Sequence, residues 1–203
     1  MTVLVDRLNS IAITDRCMTI QGNWEQFRLI HQGCEDTPGV RLFYFDGAIE
    51  ILMPGQPHEI FSHIIGQLLT FFLAYQGINF VATGSADQEK SGIASAQPDQ
   101  SYCIGQLKPI PDLSIEVVFS SGGTQKLKRY QAIGVAEVWF WEDGVLTLHH
   151  LREHGYDRIQ TSELDGLKNL DLEVFNRHIM IAETDMAEAV RSFTQYVLQR
   201  NDV

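Results

Sequence analysis

The strongest constraint on the fold comes from the segment that follows Pro111 and runs from Leu113 to Phe119. It is almost continuously apolar and carries one carboxylate, Glu116, in its middle. Such a run predicts a buried β-strand. A carboxylate in that position is costly to desolvate unless a metal ion, a cation or a hydrogen-bond donor compensates it. The segment therefore predicts either a functional carboxylate or a salt-bridged glutamate of the core.

Two further carboxylates are candidates for the same site. Asp99 follows Pro98 and precedes a short apolar run, and its alternative role is that of a turn or cap residue. Glu50 lies in an otherwise apolar strand, where it could equally face outward in an alternating pattern. Carboxylate oxygens are the ligands that hard divalent cations prefer. Together with a nearby lysine, these acids indicate a metal-dependent phosphodiesterase.

The candidate lysine is Lys126, which follows a glycine-rich turn and stands in the first turn of a predicted helix. The helix dipole mildly disfavours a cation in this position, so the placement of the lysine suggests a functional role. A lysine can orient or deprotonate an attacking water and stabilise charge on a phosphate. Lys128 and Arg129 are neighbouring alternatives, and a solvated basic helix face is the ordinary interpretation.

Composition restricts the possible classes of protein. A chain of 203 residues is long enough for one domain with a sizeable core. The net charge of −11 disfavours non-specific nucleic-acid binding through a broadly basic surface. The three cysteines are widely separated and form no CxxC pair, which disfavours a disulfide framework or a zinc ribbon. We expect them to be free thiols in a reducing cytoplasm. The start of the chain lacks signal-peptide character and polar residues interrupt the longest apolar stretch, so we expect a cytoplasmic protein without a membrane span.

Periodicity and turn signals predict a mixed sheet flanked by helices, of α/β or α+β class. Asp46-Gly47 and Asp143-Gly144 each indicate a hairpin turn. We assign 1–203 to a single domain, with 1–22 as an N-terminal arm and 184–200 as a C-terminal helix. The other predicted helices are 23–30, 58–73 and 125–133; the predicted strands are 41–45, 48–52, 78–82, 113–119, 135–142, 145–151 and 156–160; and 83–97 is a polar loop.

Two local patterns carry further expectations. The long helix should be apolar on one face, with Ser62 and His63 on its polar face. The aromatic segment from Val138 to Trp141 could be a partner surface, although a place in the core is the better interpretation. Other catalytic motifs are absent from the sequence: it has no HExxH, no GxSxG, no phosphate-binding GxxxxGK[ST] and no GxGxxG after a strand.

Four blocks of the sequence, taken in order, resemble the Uma-two family of bacterial endonucleases. The resemblance extends over about residues 24 to 175. Members of this family are classed with the PD-(D/E)XK, restriction-endonuclease-like fold, so the resemblance implies a central mixed β-sheet with helices on both sides. The blocks are 45–59, 96–105, 110–144 and 148–151.

The resemblance also implies a site and a substrate. Asp99 and Glu116 correspond to the metal-binding acids, Lys126 to the active lysine and Glu50 to an upstream catalytic acid. His58 would have a supporting role near the scissile phosphate or would serve only as a helix cap. The implied activity is hydrolysis of DNA phosphodiester bonds with Mg²⁺ or Mn²⁺ by a homodimer. The wider superfamily places its lysine two residues after the strand acid, at Val118 here. The alternative is a catalytically silent protein of the same fold that binds DNA or another protein.

Overall fold

The computed structural model describes residues 14–119 and 123–200. The chain forms five helices and two sheets within these ranges. The helices are α1 (Trp24–Cys34), α2 (Gln56–Tyr75), α3 (Gly123–Ile133), α4 (Leu172–Ile181) and α5 (Met186–Arg200). The strands are β1 (Arg16–Gln21), β2 (Arg41–Phe45), β3 (Ala48–Met53), β4 (Phe80–Ala82), β5 (Gln88–Lys90), β6 (Ala94–Ala96), β7 (Gln100–Ile104), β8 (Leu113–Val118), β9 (Glu137–Glu142), β10 (Val145–Arg152) and β11 (Gly155–Ile159).

The larger sheet has six strands in the order β11-β10-β9-β8-β7-β4. It is mixed, because β8 and β9 run parallel while its other neighbouring strands are antiparallel. A parallel pair needs a crossover connection, and α3 lies in the connection from β8 to β9. The smaller sheet is antiparallel, with the order β1-β3-β2-β6-β5. This α+β arrangement confirms the predicted restriction-endonuclease-like fold class.

The apolar residues divide among three packed layers. Helices α2, α4 and α5 cover one face of the larger sheet, and α3 packs between its other face and the smaller sheet. Helix α1 covers the far face of the smaller sheet. Ile115 and Val117 point toward α2, whereas Val118 points toward α3, as the alternation along the predicted strand requires. Glu116 therefore faces the layer between the two sheets.

Local signals account for several elements. Asn23 caps α1, accepting from the backbone N–H of Gln26, whose side chain in turn accepts from the Asn23 N–H; this is a reciprocal capping box. Both Asp-Gly pairs form tight hairpin turns in which each residue has positive φ: 49° at Asp46 and 74° at Gly47, and 50° at Asp143 and 76° at Gly144. The two predicted hairpins are confirmed.

Other elements differ from the sequence-based expectations. The predicted loop from 83 to 97 contains β5 and β6, which are too short to show a periodic pattern. Helix α4 was not predicted. Part of the predicted N-terminal arm, 16–21, forms β1 and pairs with β3, whereas 1–13 lie outside the described residues.

Two side-chain expectations are settled by burial. The prediction that Ser62 lies on a polar helix face is wrong, because Ser62 is buried and its hydroxyl lies 3.4 Å from the carbonyl oxygen of Asp99. The aromatic segment from Val138 to Trp141 is buried throughout, so it belongs to the core and not to a partner surface. Within the described ranges, no helix is both long and apolar enough to cross a membrane.

A buried glutamate outside the candidate site anchors the loop that follows β11. Glu137, at the start of β9, is fully buried. One of its carboxylate oxygens accepts from Trp139 Nε1 at 3.0 Å and from Ser162 Oγ at 2.8 Å. The other accepts from the backbone N–H of Glu163 at 2.6 Å and lies 3.0 Å from His150 Nδ1. The acceptor positions of this carboxylate are thus filled.

We expect Glu137→Ala to lower the free energy of unfolding by about 3 kcal/mol, because it leaves several buried donors without an acceptor. Urea unfolding followed by circular dichroism measures this change. The control is Glu153→Ala, which removes an exposed carboxylate nearby and should change the stability by less than about 0.5 kcal/mol. Equal stabilities of the two variants would contradict the anchoring role.

Candidate active site

Asp99 is held against the strand that carries Glu116. It lies immediately before β7, and its backbone N–H donates to the carbonyl oxygen of Ile115 at 3.0 Å. Its Oδ2 accepts from the backbone N–H of Val117 at 2.5 Å. The carboxylate is buried. Backbone pairing with β8 therefore fixes Asp99 beside the residues on either side of Glu116.

The other oxygen of Asp99 faces two basic side chains. The Arg41 guanidinium, from the start of β2, contacts Oδ1, and His58 Nε2 lies 2.7 Å from the same atom. His58 Nδ1 lies 2.8 Å from Asp15 Oδ2, so the ring stands between two carboxylates. Arg41 also pairs with Glu59 at 2.9 Å. Burial lowers the pKa of His58 despite the opposing effect of Asp15.

Glu116 is compensated by three side chains of α3. Its Oε2 accepts from Lys126 Nζ at 3.0 Å, and its Oε1 accepts from the Tyr130 hydroxyl. Arg129 Nη2 lies 4.0 Å from Oε1. Burial by itself would raise the pKa of Glu116, but the charges of Lys126 and Arg129 and the hydrogen bonds from Tyr130 and Lys126 lower it overall. Burial and the neighbouring carboxylate raise the pKa of Tyr130, so its hydroxyl stays protonated and donates.

Glu50 joins the site from the smaller sheet. Arg129 Nη1 donates to Glu50 Oε2 at 3.1 Å, and the guanidinium lies 4.1 Å from the centroid of the Phe43 ring. Cys17 Sγ lies 3.7 Å from Glu50 Oε1. Burial, followed by the charge of Glu50, raises the pKa of Cys17, which keeps this thiol protonated. Arg129 thus links a carboxylate of each sheet.

The predicted site residues fall into two contacting groups. Glu116, Lys126 and Glu50 belong to one group, and Asp99 and His58 belong to the other. Both groups adjoin the same end of β8. Lys126 does not lie on β8, but its amine extends from α3 back to Glu116 on that strand.

Several residues of the site were not singled out from the sequence. Arg41, Asp15 and Cys17 carry no local signal, because each reaches the site from a distant part of the chain. Tyr130 was not singled out as a site residue, although it lies one helical turn after Lys126 and therefore on the same face. Lys128, the alternative lysine, is exposed.

The donor chemistry of the site suits a hard divalent cation. Within residues 14–119 and 123–200, no three His, Cys, Asp or Glu side chains are grouped so that they could hold a metal ion. Mg²⁺, however, is usually bound through one or two carboxylates, with waters and substrate phosphates supplying the remaining ligands. Asp99 and Glu116 supply two carboxylates at this end of β8, and each carboxylate is engaged by basic side chains of the protein.

The mixed sheet with its crossover helix is consistent with a fold of the restriction-endonuclease-like class. The family model of Uma2, described as a putative restriction endonuclease, matches residues 24–181. The chain therefore belongs to the Uma2 family, as the resemblance of its sequence blocks indicated. A search of curated proteins finds no match. The family assignment supports a nuclease-like function.

The Glu116–Lys126 pair leads to a prediction about stability and pH. A lowered carboxylate pKa stabilises the folded protein above the ordinary pKa of glutamate, and this contribution is lost as the pH falls through the lowered value. In Lys126→Met the pKa of Glu116 rises, so acid unfolding should begin at a higher pH. At neutral pH we expect a loss of about 2 kcal/mol in the free energy of unfolding, measured by urea titration.

The matched control for this prediction is Lys128→Met, which removes the same charge from an exposed position on the same helix. It should change the free energy of unfolding by less than about 0.5 kcal/mol. If both variants unfold at the same pH as the wild type, the lysine does not compensate the buried glutamate.

Proposed function

We propose that this protein is a metal-dependent endonuclease that hydrolyses phosphodiester bonds of DNA. One observation carries the proposal: Asp99, Glu116 and Lys126 adjoin one end of β8. The carboxylate of Asp99 accepts a hydrogen bond from the backbone N–H of Val117, the residue after Glu116. The amine of Lys126 lies 3.0 Å from Glu116 Oε2. Family membership supports the same activity.

In this proposal Asp99 and Glu116 hold Mg²⁺ or Mn²⁺. The bound cation would polarise the scissile phosphate and lower the pKa of a water ligand. Arg41 and Lys126, which now pair with the two carboxylates, would turn toward the substrate when the acids bind the metal. Their positive charges would then lie beside the non-bridging phosphate oxygens.

The remaining residues have supporting roles. Lys126 would stabilise the attacking hydroxide and the charge that develops on the phosphate. Tyr130 would keep the Glu116 carboxylate in a fixed orientation through its hydroxyl. Glu50 would hold Arg129 beside Glu116, and His58 would position Asp99 next to the scissile phosphate.

A second candidate is a catalytically silent protein that uses the fold to bind DNA or another protein. It is favoured by the engagement of each carboxylate with protein cations and by the net charge of −11, which opposes a polyanionic substrate. The two candidates differ in their expected binding of divalent cations. A catalytically silent protein is expected to bind no divalent cation, with or without DNA.

We expect wild-type protein to bind Mn²⁺ in calorimetric titrations, more tightly when DNA is present, because phosphate oxygens complete the ligand set. Asp99→Asn and Glu116→Gln should each abolish this heat and reduce DNA cleavage in Mg²⁺ by at least about a hundredfold. Lys126→Met should retain the Mn²⁺ heat but lose most of the cleavage.

The control for the titration is Asp165→Asn, which removes an exposed carboxylate paired with Lys168 and should behave as the wild type. Absence of Mn²⁺ binding by folded wild-type protein, both alone and with DNA, would favour the silent candidate. Cleavage that survives in Glu116→Gln would contradict the assignment of the acids.

We further propose a cytoplasmic homodimer, the arrangement that the family resemblance implies. Strand β1 supports it, because this strand lies at an edge of the smaller sheet and all of its residues are exposed. Met18 and Ile20 are apolar residues on that strand. Exposed edge strands pair readily with a second chain.

Sedimentation equilibrium should therefore give a dimer mass for the wild type, and Ile20→Lys should shift the equilibrium toward monomer because it places a charge on the edge strand. Val145→Lys, at another half-exposed apolar position, is the control. A wild-type monomer at all concentrations would overturn the proposed assembly without affecting the proposed chemistry.

A further inference from the structure

Phe119 is an exposed aromatic residue at the rim of the candidate site. It follows the last residue of β8, the strand that carries Glu116, and its relative exposure is 52%. Its ring centroid lies 6.1 Å from that of His58. Since His58 Nε2 lies 2.7 Å from Asp99 Oδ1, one side chain separates the exposed ring from the proposed metal-binding carboxylate.

The ring of Phe119 packs against buried aromatic side chains. Its centroid lies 6.0 Å from that of Phe61, and the Phe61 ring lies 5.4 Å from that of Trp141. Phe61 and Trp141 are both buried. Phe119 is therefore the exposed end of a row of three aromatic side chains that begins in the core. Such support holds an aromatic ring in place at little further cost in side-chain entropy when a ligand stacks on it.

Charge alone gives this protein little attraction for a nucleic acid. The chain has 26 acidic residues against 15 lysines and arginines. Basic side chains at the site are themselves paired with carboxylates. Stacking between a base and an aromatic ring does not depend on net charge, and every base has a face that can stack. A stacking contact would thus supply binding energy that the electrostatics of this chain do not.

We propose that Phe119 stacks on an unpaired nucleobase next to the phosphate at the site, so that the preferred substrate is a single strand or a locally unpaired segment of DNA. This inference rests on the proposed nuclease function. In a regular duplex both faces of a base are covered by neighbouring bases, so a supported ring can stack only on a base that is unstacked or flipped out. For this reason the exposed ring of Phe119 would favour DNA with unpaired bases.

Fluorescence anisotropy with a labelled oligothymidylate tests the proposal, in EDTA and in Ca²⁺, on the full chain. Phe119→Leu keeps an apolar side chain without a ring and should weaken binding by about 5- to 100-fold. Phe119→Tyr and Phe119→Trp keep a ring and should bind within about threefold of the wild type. The indole of Phe119→Trp should also lose fluorescence on binding, a signal that a purely structural role would not produce.

Leu107→Ala removes another exposed apolar side chain, one that lies in the loop after β7, and should leave the affinity unchanged. Mn²⁺ titrations should be the same for Phe119→Leu and the wild type, because Phe119 supplies no metal ligand. Thermal unfolding checks that the variants are folded.

The possible failures can be told apart. Binding by the wild type that Phe119→Leu leaves unchanged would overturn the stacking role and leave the proposed nuclease function intact. Equal affinity of the wild type for a duplex and for the single strand would overturn the preference for unpaired bases. Failure of the wild type to bind any oligonucleotide in either buffer would remove the nuclease function and this inference together. A change of sedimentation in Phe119→Leu without a change of affinity would show that a second copy covers the ring.

Discussion

The compensation of one buried carboxylate links the main layers of this protein. Glu116 lies in the central part of the larger sheet, and α3 supplies Lys126 and Tyr130 to its two oxygens. Arg129 extends this arrangement to Glu50 on the smaller sheet. A carboxylate in this layer would be unstable without these donors. The packing of α3 between the two sheets therefore brings to this carboxylate the donors that it needs.

The same arrangement explains how an acidic protein could act on a polyanion. The carboxylates that would bind a metal are held by basic side chains in this structure, so neither set of charges is left uncompensated at the site. Exchange of partners would direct the acids toward the cation and the bases toward the phosphate. The supported ring of Phe119 would add an attraction that does not depend on charge, next to His58 and Asp99.

Several residues of the candidate site could be singled out from the sequence because they occur in strong local patterns. Glu116 interrupts an apolar run, Asp99 follows a proline, and Lys126 begins a helix after a glycine-rich turn. The partners that complete the site had no such signal. Arg41 and Asp15 reach it through contacts between residues far apart in the chain, and a pattern of local periodicity carries no information about such contacts.

The sequence by itself determined the fold class, both Asp-Gly hairpins, the alternation of β8 and the long helix, because each follows from local turn chemistry or from hydrophobic period. Only the tertiary structure decided that β5 and β6 belong to a second sheet, that Ser62 is buried, and which cation pairs with which carboxylate. Short strands and ion pairs are stabilised by neighbours that the fold brings together, so their existence depends on packing and not on the local sequence.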